Sequence, residues 1–118
     1  MNFFIKLILS AVAVIITSYL LGGVIVDDFL VAIIVAALLA LLNTVIRPIL
    51  VLLTIPITIF TLGLFLLVIN AVIILIADAI VPGFEVDGFW WALLFSIILS
   101  IVNALFQGLG KENTKRNS

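Results

Sequence analysis

Apolar residues run along this chain in long blocks with few polar interruptions. The first block spans Phe4 to about Val24, where Gly22-Gly23 weaken its end and Asp27-Asp28 close it. A second runs from Phe29 to Ile46 and meets Arg47-Pro48. Proline disfavours helical geometry in the residue before it, so a helix boundary is predicted there. The last block runs from Phe89 to about Leu109, behind Pro82-Gly83 and the acidic Glu85-Val86-Asp87. Trp90 and Trp91 begin it, and such amphipathic rings favour the lipid–water interface. A membrane-spanning helix needs roughly 20 predominantly apolar residues, and these blocks supply them.

The stretch from Ile49 to Val81 is long for one span and short for two. Pro56 and Gly63 interrupt it, with Thr54, Thr58 and Thr61 nearby. The third span is therefore predicted over Gly63–Val81. Residues 48–62 are then an apolar connector, either interfacial or re-entrant; irregular backbone at depth needs protein or water to satisfy its polar groups.

A shift of 60 residues aligns the two halves without gaps. Val26-Asp27-Asp28-Phe29 falls on Val86-Asp87-Gly88-Phe89, Gly23 on Gly83, Ala32 on Ala92 and Asn43 on Asn103. The predicted fold is an all-α membrane protein of four transmembrane helices, arranged as two repeated helical hairpins. Residues 1–110 form one membrane domain, with hairpins over 1–47 and 63–110 and the connector between them. Residues 111–118 form a polar tail.

Composition agrees with this pattern. The chain of 118 residues is 67% hydrophobic and 9% charged, against about 25% charged in a soluble domain. The bilayer is thus the expected solvent and partner. The net charge of −1 gives no reason to expect nucleic-acid binding. Cys and His are absent, which removes disulfides, thiol nucleophiles and the usual near-neutral base. The Ser and Thr residues lack an activating base, and no phosphate-binding loop is evident. The expectation is a non-enzyme with no metal and no cofactor. The segment after Lys6 is read as a retained span, since its apolar run exceeds a typical signal-peptide core and no A-x-A-like site follows it.

Lys6, Arg47, Lys111, Lys115 and Arg116 all fall on one side of a four-span arrangement, and the opposite turns carry only acidic residues. Basic residues favour the cytoplasmic face. Both termini are therefore expected inside a bacterial inner membrane, and the halves should form a parallel repeat.

Several polar and small residues are candidates for function. Ala32, Ala36, Ala40 and Thr44 make a stripe at intervals of four, repeated as Ala92, Ser96, Ser100 and Ala104. Small residues let helices approach closely, within one chain or between copies in a homo-oligomer. Asn43 and Asn103 adjoin the stripes and suit interhelical hydrogen bonding or the lining of a pathway. Asn70 and Asp78 share a face of the third span; intramembrane acids are costly and often functional, but Asp78 lies about one turn from the outer end and is read as structural ahead of functional. Arg47 is read as a topological anchor, or as a pin for the connector, ahead of a transport role.

The segments Asn43-Thr44-Val45-Ile46-Arg47-Pro48-Ile49-Leu50, Pro56-Ile57-Thr58 and Thr61-Leu62-Gly63 resemble the mycobacterial-type phage holin superfamily IV. So do Val81-Pro82-Gly83-Phe84 and Val86-Asp87-Gly88-Phe89-Trp90; the likeness covers residues 3–108, and its Asn-x3-Arg-Pro segment is fairly specific. The resemblance implies a four-span protein, with membrane permeabilisation as the activity its name suggests. It also implies bacterial relatives of unassigned function, some linked to envelope stress, and it transfers no catalytic residue. The leading expectation is a structural or regulatory envelope protein with an unspecified protein partner. A holin-like oligomer comes next, and a small solute or ion carrier is the third class.

Overall fold

A computed structural model describes residues 2–116, with side chains through residue 108. Helix α1 (Phe3–Leu20) begins at Asn2, whose side-chain oxygen accepts the Ile5 amide at 2.9 Å. Such a cap satisfies a donor that the first helical turn leaves open. Strand β1 (Val24–Val26) follows, then α2 (Phe29–Leu53), capped by Asp28 through the Val31 amide. The short α3 (Ile55–Phe60) leads to α4 (Phe65–Ile80), strand β2 (Phe84–Val86) and α5 (Phe89–Arg116). Helix α1, α2 and the segment Phe89–Gly108 of α5 are long and apolar enough to cross a bilayer, and α4 is a shorter apolar helix.

Three boundaries differ from the sequence expectation, the first being the end of α1 at Leu20, with Val24 in strand β1 rather than in the span. Helix α2 does not stop at Arg47-Pro48 but continues through Pro48 to Leu53. The ring removes only the bond to the Thr44 carbonyl, and apolar surroundings offer no water to compete for the neighbouring bonds. The connector is consequently shorter than 48–62. It holds α3 and a turn in which Leu62 and Gly63 both take positive φ. Its hydroxyls bond locally: Thr54 donates to the Leu50 carbonyl at 2.7 Å, and Thr61 accepts the Phe65 amide at 3.1 Å. At the other end, the polar segment from Lys111 continues α5 as helix to Arg116. Residues 117 and 118 of the expected tail lie outside the described residues.

Helix α1 packs against α2 and α5, and α4 packs against α5 and α2, so the four long helices close a ring. The acidic turns, expected as simple connections, pair with each other. Strands β1 and β2 run antiparallel with Val24 opposite Val86, Ile25 opposite Glu85 and Val26 opposite Phe84. The Asp27 amide donates to the Gly83 carbonyl at 3.0 Å, and the Asp87 amide donates to the Gly23 carbonyl at 2.8 Å.

Buried positions recur at an interval of sixty: Ala11 and Ala71, Val14 and Ile74, Ala32 and Ala92, Val35 and Phe95. The core is densest in the half of the bundle next to the strands. There Phe84 and Phe95 are fully enclosed, with ring centroids 5.6 Å apart. Thr17 is also fully buried and donates to the Ala13 carbonyl at 2.7 Å, which satisfies its hydroxyl inside its own helix.

Candidate functional site: a polar cavity between the helices

The half of the bundle away from the strands is less full. A cavity of about 200 Å³ lies between α1, α2, α4 and α5. Its polar lining comes from Ser10, Asn43, Arg47, Asn70, Ser96, Ser100 and Asn103. Toward the strands its wall is made by Val14, Ala36, Ile74 and Ser96, all buried.

Arg47 organises the polar side. Its Nε donates to the Asn43 side-chain oxygen at 3.0 Å, one helical turn back. Its Nη2 donates to the side-chain oxygen of Asn70, which joins α2 to α4. The guanidinium is half-buried, and among the described residues no Asp or Glu lines the cavity. A charge withdrawn from water is costly unless it is paired and hydrogen-bonded. The two amides provide bonds but no countercharge.

A second cavity of about 220 Å³ adjoins the first and shares Ser10, Ala36, Ala40 and Asn103 with it. It forms a groove walled mainly by Phe3, Leu7, Leu9 and Phe106, with Lys6 and Gln107 at the same end of the bundle.

The sequence candidates thus separate by position. Asn43, Arg47, Asn70 and Asn103 come together around one cavity. Asp78 does not join them: it is half-buried near the strands, in a recess with Gly22, Gly23 and Glu85. The small-residue stripes divide as well. Ala32, Ala36, Ala92 and Ser96 are buried between helices of one chain, with Ala36 and Ser96 at the strand-side end of the cavity. Ala40 and Ser100, expected at close helix contacts, are exposed and line the cavity. The same periodicity therefore serves close packing near the strands and leaves open space farther down. Ser10, which falls on Asn70 at the interval of sixty, also belongs to the lining.

The two tryptophans differ in the same way. Trp90 is 74% exposed, as an interfacial ring would be. Trp91 is half-buried and lies against Gly23.

The family model described as mycobacterial four-transmembrane-segment phage holin, superfamily IV, matches residues 1–105. The chain belongs to that family. It is a membrane protein, and its apolar exterior is the surface that such a protein presents to lipid. An uncharacterized protein of Streptomyces coelicolor is 42% identical over 112 residues, covering 86% of this chain and 90% of that protein. The uncharacterized membrane protein YvlD of Bacillus subtilis is 35% identical over 104 residues, covering 87% of each chain. No solved structure matches this superfamily IV chain.

Proposed function

We propose that the chain is a non-enzymatic structural or regulatory protein of the bacterial inner membrane. It consists of two repeated helical hairpins, with both termini in the cytoplasm. The duplication is supported by the strand register, in which Ile25 faces Glu85, its counterpart sixty residues on. It is supported again by the reciprocal bonds Asp27 to Gly83 and Asp87 to Gly23. A two-fold axis between the strands and along the membrane normal accounts for both. The basic ends and acidic turns support the orientation.

The observation that carries the functional reading is the one-sidedness of the cavity. Its polar lining reaches no farther toward the strands than Ser96, and from the neighbouring Phe95 onward the enclosed Phe95 and Phe84 fill the bundle. A single chain built this way is a poor conduit for solutes but can present a polar recess to one side. The runner-up is a holin-like oligomer, as the family description suggests. Thr44 and Ala104 favour it, because they continue the stripes and are exposed to a second copy. A carrier using the recess comes third.

The full chain reconstituted in liposomes tests these readings. No release of size-graded dyes and no selective solute flux are expected. Size-limited dye release would overturn the non-conducting reading in favour of the holin-like oligomer. Flux of one solute without dye release would overturn it in favour of the carrier.

A further inference from the structure

Arg47 lies 18 residues beyond the start of α2, about 27 Å along the helix axis. The helix continues through Pro48-Ile49-Leu50-Val51-Leu52-Leu53, all apolar. The guanidinium therefore sits within the apolar length of its own helix and faces a cavity that no carboxylate among the described residues lines. Arg47 thus lies toward the far edge of a hydrocarbon core about 30 Å thick, and a half-buried cation without a countercharge normally finds an anion or reaches water. Its neighbours favour an anion. Asn43 and Asn70 both turn their side-chain oxygens to Arg47, which leaves their amino groups as donors. Arginine carries five N–H donors in a planar fork suited to phosphate, and the two amides occupy only part of that fork.

The adjoining groove identifies the kind of anion. It shares part of its lining with the cavity, and Phe3, Leu7 and Phe106 give it apolar walls between α1 and α5. Lys6, exposed in the first turns of α1, adds a second positive charge to the groove. A free phosphate would use the polar cavity and leave the groove empty. A molecule with a phosphate head and a hydrocarbon chain uses both.

We propose that the cavity binds the phosphate head of an anionic glycerophospholipid from the leaflet nearest Arg47, with an acyl chain in the groove between α1 and α5. Arg47 supplies the charge, Asn43 and Asn70 orient it and add donors, and Lys6 attracts the head group at the entrance. This deepens the non-conducting reading by giving the one-sided recess a ligand. It stands independently of that reading in test, since dye release would overturn non-conduction without removing the site.

The test is native mass spectrometry of the full chain with phosphatidylglycerol, phosphatidylcholine or inorganic phosphate, alongside thermal melts. The wild-type chain should retain one phosphatidylglycerol in preference to phosphatidylcholine. Arg47→Gln should weaken phosphatidylglycerol binding at least about tenfold, the scale of a lost charge-assisted bond. Ala40→Leu should weaken it without unfolding, because exposed Ala40 lines both cavity and groove. Should Arg47→Gln fail to fold, Ala40→Leu decides alone. Equal retention of the two lipids, displacement of lipid by inorganic phosphate, or wild-type affinity in Ala40→Leu would each overturn the proposal.

Discussion

Trp91 on α5 lies directly against Gly23, the residue before strand β1, so closely that a β-carbon on Gly23 would run into the indole. The contact ties the start of α5 to the turn that follows α1. Gly22, its neighbour, has open space where its β-carbon would be. The adjacent glycines therefore serve different purposes, although the sequence presents them as one flexible pair.

Gly23→Ala should lower stability by about 1–3 kcal/mol, the usual cost of overpacking. Gly22→Ala should change it by no more than about 0.5 kcal/mol. Thermal melts in detergent followed by tryptophan emission would check both. The Gly23 variant should also show an altered emission maximum, because Trp91 must move to accommodate the methyl group. Equal melting temperatures in the two variants would show that the indole can step aside freely.

The helical spans were legible in the sequence because their signal is continuous: Phe29 to Ile46 contains only Asn43 and Thr44 as polar interruptions. The strands were not legible. Val24-Ile25-Val26 is three residues long and simply prolongs an apolar block, so no alternation could reveal it. The pairing of Val24 with Val86 depends on a partner far along the chain. Pro48 misled for a different reason: a proline is a strong breaker in water, yet here it is accommodated in an apolar helix end. Within the candidate site, Asn43, Arg47, Asn70 and Asn103 could be named from their rarity in apolar spans. Their convergence could not, because Arg47 reaches Asn70 across 23 positions. The stripes were read as uniform contact faces, and periodicity alone could not show that the helices diverge at Ala40 and Ser100.

Orientation is open to a direct experiment because the chain contains no cysteine. Glu85→Cys places a thiol at the exposed centre of strand β2, and Asn113→Cys places one in the basic C-terminal segment. In intact cells, an impermeant thiol reagent should label position 85 and spare position 113 until the membrane is opened. The reverse pattern would invert the proposed topology, and labelling at both positions would indicate a mixed population. Glu85 is exposed, so expression and melting of the Glu85→Cys variant should match the parent chain.

The last prediction concerns Ala36 and Ser96, which occupy corresponding positions in α2 and α5 and are buried within one chain. Ser96 also donates to the Leu93 carbonyl at 2.8 Å, so its hydroxyl is satisfied by its own helix and does not depend on a neighbouring copy. Small side chains here allow approach that Leu would obstruct. Ala36→Leu and Ser96→Leu should each lose about 1–3 kcal/mol of stability through overpacking. Leu41→Ile, at an exposed position of α2, is the control and should lose no more than about 0.5 kcal/mol. Size measurement alongside the melts separates packing within a chain from association between chains. Because both side chains are enclosed by their own chain, the variants should melt earlier with particle size unchanged. A shift from oligomer to monomer without a change in melting would instead place the small-residue face between copies, and the intrachain account of the stripe would fail.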